Sequence, residues 1–99
     1  MNKKITRASV ISTSSGNVIY TVPPASSASI TGIFVTATAP TTITISNYVD
    51  FTGVTTTYSI DLQVGDNYSD TTVYPMAPLD FVKIESTNSA TYMAFIEIP

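Results

Sequence analysis

The sequence predicts an all-β fold: a single antiparallel β-sandwich or jelly-roll-like domain of about seven short strands. Three observations carry this expectation. Apolar and polar residues alternate with period two in several segments, the signature of a half-buried strand. Ser and Thr make up roughly three residues in ten, and Thr sits well on a pleated surface facing water; only 11% of residues are charged, against about 25% in an average chain. Turn-forming Pro, Gly, Asn and Asp punctuate the apolar stretches at intervals of about 8–12 residues, as in sandwiches and barrels. No segment has convincing helical periodicity.

Residues 1–16 read as a flexible N-terminal arm, polar and ending in the Ser/Thr-rich STSSGN, with the sandwich occupying residues 17–99. The first strand is expected over residues 17–22, with Val18, Tyr20 and Val22 alternating with Asn17, Ile19 and Thr21. Pro23-Pro24 ends it, because neither proline can donate to a ladder. The small residues of ASSAS then let the chain cross to its next strand, about residues 30–38. There Ile33, Val35 and Ala37 form one face and Phe34, Thr36 and Thr38 the other. A short Ala-Pro-Thr link leads into TTITISN, where Ile43 and Ile45 point inward.

Residues 47–54 (NYVDFTGV) read as a loop with an aromatic tip. TTTYSIDLQV alternates again, with Tyr58, Ile60, Leu62 and Val64 on one side. GDNYSD, residues 65–70, is turn chemistry, and TTVYPMAP is a short extended piece. LDFVKIEST places Val82 and Ile84 on one face and Lys83 and Glu85 on the other. The last segment, TYMAFIEI, is apolar on both faces, which suggests a central strand or an edge buried by another subunit. Phe34, Phe81 and Phe95 read as core residues.

Composition narrows the function. There is no Cys and no His, so no disulfide framework, no thiolate metal site and no histidine base is available. Asp61, Asp66 and Asp70 with Asn67 lack the spacing of a calcium loop, and turn formation explains them more simply. No Gly-x-Ser-x-Gly elbow, phosphate loop or paired-carboxylate pattern is present. No metal and no cofactor is expected, and the chain does not read as an enzyme. Lys3, Lys4 and Arg7 are three of its four basic residues, so the remainder carries a net charge of about −6. That balance argues against nucleic-acid binding. The charged start lacks the apolar run of a signal peptide, and no stretch approaches a membrane span, so the expectation is neither export nor membrane contact. Asn67-Tyr68-Ser69 matches the glycosylation sequon by coincidence on that reading. The candidate partner-binding residues are Lys3, Lys4 and Arg7, as an arm docking on an acidic partner, and Tyr48, Phe51 and Tyr68, as aromatics on loops.

The segment VIYTVPPASSASITGIFVTATAPTTITIS resembles the opening of small β-sandwich virion proteins of tailed phages. In those, an extended piece ending in a proline leads through small residues to a Gly-Ile-Phe-Val strand. Tyr20, Val22, Pro23, Gly32, Ile33, Phe34 and Val35 occupy the matching positions. The closing segment is similar as well, through Asp80, Val82, Ile84 and Ser86, then Ala94, Ile96, Glu97 and Ile98. Residues 47–70 match nothing in the pattern, and Ala37-Thr38 stands where the family often has a polar turn. The resemblance implies a capsid decoration (cement) or head-tail accessory protein, made in the host cytoplasm and present on the virion. It implies the major capsid protein or another virion protein as partner, with a homo-trimer as one form. A tail or fibre accessory protein is the alternative. A carbohydrate-binding module, stacking sugars on Tyr48, Phe51 and Tyr68, is the alternative from another class.

Overall fold

The computed structural model describes residues 3–99. Nine strands and no helix occur among them: β1 (Lys3–Val10), β2 (Asn17–Thr21), β3 (Ala28–Ala37), β4 (Thr41–Val49), β5 (Val54–Leu62), β6 (Asn67–Asp70), β7 (Tyr74–Met76), β8 (Phe81–Ser86) and β9 (Ala90–Ile98). They form two antiparallel sheets packed face to face. One has the order β1-β9-β3-β6, with β7 continuing along the same edge of β3 as β6; the other has the order β2-β8-β4-β5. Apart from the β4–β5 hairpin and the β6–β7 step, every connection passes from one sheet to the other. That is the winding of a jelly roll, so the expected all-β sandwich is observed.

The core lies between the inner faces. Ile33 and Val35 from β3, Ile43 and Ile45 from β4, Val82 and Ile84 from β8, and Ala94 and Ile96 from β9 are all buried. Those of β3, β4 and β8 share the faces that alternation grouped together, while in β9, apolar on both faces, the layering selects Ala94 and Ile96. Burying one such Ile or Val stabilises the fold by about 2 kcal/mol relative to leaving it in water.

Four segments differ from the sequence expectation; in one, residues 47–49, expected in a loop, extend β4 to Val49 and place Tyr48 on a strand. Residues 3–10, expected within the arm, form β1 and pair with β9 from Lys3↔Ile98 to Val10↔Thr91. Seven of its eight side chains are exposed and Ile5 alone is half-buried, so β1 is held by its backbone ladder. Hydropathy carries no trace of such a strand. Ile11, just beyond it, is buried, and its N–H donates to Ala90 O at 2.9 Å.

Residues 67–70, expected as part of a turn, form β6 on β3, with Ile33↔Asp70 and Thr36↔Asn67 in register. Thr36 Oγ1 donates to Asn67 Oδ1 at 2.8 Å across that pair. The turn is confined to the residues before it, and Val64, expected inward, is exposed there.

In β2 the register shifts between Val18 and Tyr20. A bulge re-aims side chains, so Ile19 and Val22 are buried while Val18 faces solvent. The proline corner then turns tightly: Ser26 N–H donates to Pro23 O at 3.2 Å, with Ala25 at φ 60°. Pro24 presets the first central position of this turn, and Ala25 occupies a left-handed conformation that glycine would favour.

Candidate functional site

Three connections meet at one end of the jelly roll, and Asp80 ties them together. Its carboxylate is buried. It accepts from the backbone N–H of Asp50 at 2.8 Å and from that of Ala77 at 3.0 Å. Its own carbonyl accepts from Val22 N–H at 2.9 Å, and Leu79 N–H donates to Val22 O at 3.0 Å. The β2–β3 corner, the β4–β5 hairpin and the β7–β8 turn are thereby fixed to one another. A carboxylate accepting two backbone N–H bonds is a strong local tie.

The hairpin held this way carries Phe51 at its tip, 93% exposed. Gly53, at φ 67°, closes the turn by donating to Val49 O at 2.8 Å. Thr52 Oγ1 donates to Val49 O and accepts from Val54 N–H. The aromatic ring therefore stands on an ordered turn. Beside the hairpin base lies an open groove of about 630 Å³, lined by Ala28, Val49, Met76, Pro78 and Ile98 among others. An exposed aromatic knob next to an apolar groove is the chemistry of a protein interface.

At the lateral edge formed by β5 and β6, Tyr58 of β5 donates its hydroxyl to Asp70 Oδ2 of β6 at 2.5 Å. Tyr74 of β7 donates to the same oxygen, and Thr72 N–H donates to Oδ1 at 2.9 Å. Burial pushes the Asp70 carboxyl up, but these donors outweigh it and hold it below the usual carboxylate range. Burial, and then the bond to Asp70, pushes both phenols above their ordinary value. The cluster clamps the two sheets together where β5 and β6 lie at their edges. Other acids also serve the fold. Asp66 accepts from Gln63 N–H at 2.8 Å, Asp61 accepts from Thr42 Oγ1 at 2.7 Å, and Glu85 pairs with Lys83 at 3.7 Å. Among the described residues no group of three or more acids gathers as a metal site.

The residues singled out from sequence fall in separate places. Lys3, Lys4 and Arg7 lie on β1, exposed, with Lys4 opposite Glu97 of β9. Tyr48 is opposite Phe81 on the outer face of the β2-β8-β4-β5 sheet, and their rings stack at 4.7 Å. Phe51 stands beyond it on the tip. Tyr68 is on the inner side of β6, opposite Val35, and packs against the core. Tyr48, Phe51 and Tyr68 therefore share no common face, and the sugar platform they would have formed is not assembled.

Sequence reasoning missed Asp80 as the clasp of the hairpin end. It also assigned Phe34, Phe81 and Phe95 to the core, whereas all three lie on outer sheet faces, Phe81 against Tyr48 and Phe34 and Phe95 37% and 38% exposed. The available signal was the last segment, apolar on both sides. β9 is indeed central, yet a central strand of a two-layer fold still has one face away from the core.

No family model and no curated protein matches the sequence. The fold is similar to that of a solved chain from Bacillus endospore appendages, described as a family of disulfide-linked pili. The TM-score is 0.54 at 16% identity, over 99% of this chain and 86% of that one. At this identity the likeness is one of fold. This chain has no cysteine, so the disulfide link has no counterpart in it.

Proposed function

We propose that this chain is a non-enzymatic structural virion protein, a capsid decoration protein that binds the major capsid protein of a tailed phage and stabilises the head shell. The observation that carries the reading is Phe51, almost fully exposed on a hairpin tip that Asp80 holds in place. A pre-ordered aromatic anchor loses little conformational freedom on docking and can seat in a partner's pocket. On a symmetric shell, many such contacts reinforce each other wherever copies are linked. The virion setting rests on the resemblance of residues 18–46 and 74–98 to phage virion proteins.

A second reading is a subunit of a self-assembling filament, favoured by the likeness in fold to the appendage chain. Lacking cysteine, this chain would build such a filament by non-covalent contacts alone.

Mass spectrometry of purified virus particles, with copy number referenced to the shell protein, tests the first reading. A copy number comparable to the shell protein supports decoration. A few to a dozen copies moves the chain to a tail or fibre. Absence from particles rejects the virion reading and favours the filament. In a competition assay, Phe51→Ser is expected to lose particle occupancy while remaining folded.

A further inference from the structure

We infer that the outer face of the β1-β9-β3 sheet is a self-association face, on which two copies of this chain pair about a two-fold axis. This inference is independent of the virion reading and of the hairpin end.

The face departs from what an antiparallel sheet normally presents to water, which is polar. Across it, Thr6 lies opposite Phe95, then Ala8–Met93–Phe34 form a row, then Val10–Thr91–Thr36. Met93 is 43% and Val10 63% exposed. The Phe34 and Phe95 rings meet edge to face, with centroids 5.6 Å apart at 82°. They occupy space that Gly32 leaves open, since a Cβ there would stand 3.0 Å from the Phe34 ring. These two rings make a ridge. One row further along lies a trough of about 500 Å³, lined by Ala8, Val10, Phe34, Thr36, Thr91 and Met93.

Ridge and trough lie side by side on one patch, which is what an isologous contact requires. An axis in the plane of the contact, crossing the strands at Met93, sets β9 antiparallel to β9 of the second copy. Phe95 of each copy then faces the Val10–Thr91–Thr36 row of the other, while Met93 and Phe34, in the axis row, each meet their own counterpart.

Charge selects the same face. A chain of net charge −3 pairs with itself most readily where no like charges meet. The outer face of the other sheet carries Lys83, Glu85 and Asp61. The three rows here carry no charged residue, and the Lys4–Glu97 pair lies one row outside them, where the two-fold moves it beyond the contact. Strand spacing and rise give the three rows a plan area of roughly 300 Å² per copy. Twice that lies below the range of stable specific interfaces, so the pair is weak and reversible.

The test is sedimentation of the full chain over a concentration series up to about millimolar, the range of weak pairs. A monomer–dimer equilibrium is expected, and Met93→Glu should raise its dissociation constant by about tenfold or more. Thermal unfolding of the variant checks that it is folded. The absence of native cysteine allows a second readout. Met93→Cys, on the axis, should be captured as a dimer by a short bis-maleimide, while Ser59→Cys on the opposite sheet should not. A monomer at every concentration, a trimer, a dimer unchanged in folded Met93→Glu, or equal capture of the two cysteine variants would each overturn the proposal.

Discussion

Replacing Tyr58 with Phe removes one hydroxyl and leaves the ring in place against the core. The lost atom donates to the buried Asp70 carboxylate at 2.5 Å. A hydrogen bond to a charged group contributes about 1.5–3 kcal/mol. Asp70 keeps the Tyr74 hydroxyl and Thr72 N–H, so its desolvation remains mostly offset. The expected loss is therefore about 2 kcal/mol at pH 7, which for a domain of this size lowers Tm by about 8–15 °C. The pH dependence gives a sharper readout. The folded Asp70 carboxyl titrates below its unfolded value near 4. Its stabilisation is thus present above about pH 4 and is lost as pH falls through the folded value. The penalty of Tyr58→Phe should shrink as pH falls below the unfolded value and Asp70 takes up its proton. On the alkaline side both phenols titrate above their usual value in the fold. Their contribution is whole below about pH 10 and falls as pH rises further, less steeply in the variant. Urea unfolding at both acidic and neutral pH measures this. A loss under about 0.5 kcal/mol at pH 7, or a loss that does not diminish as pH is lowered below about 4, would refute the bond between phenol and carboxylate.

Gly16→Ala should destabilise by more than about 2 kcal/mol in the same assay, because its Cβ would stand 2.7 Å from the backbone oxygen of Ile84 at φ 71°. Gly53→Ala, at φ 67° with open space around it, should lose only about 1 kcal/mol. Ala25→Gly should raise stability by about 0.5–1 kcal/mol, since Ala25 holds φ 60° in the proline corner. Removing residues 1–10 should leave the two-sheet core folded by near-UV circular dichroism, because Ile5 is the one residue of β1 packed on it. The bared edge of β9 should then drive association visible by gel filtration.

Local pattern determined the fold class and the inward residues of β3, β4 and β8. Side-chain direction alternates strictly along a strand, so a few consecutive residues are enough to show which face is buried. The proline corner was legible for the same reason, since proline acts on its own backbone. Tertiary structure decided the rest. β1 exists because β9 offers it an edge, and its exposed side chains record nothing of that partner. Asp70 reads as a turn residue until Tyr58 and Tyr74 arrive from other strands to hold its carboxylate. Asp80 becomes a clasp only when two other connections close around it. Phe34 and Phe95 look like core residues until the layering shows that the jelly roll supplies nothing to cover their side of the sheet. Each of these depends on contacts between residues far apart in the chain, and those are set by which strands become neighbours.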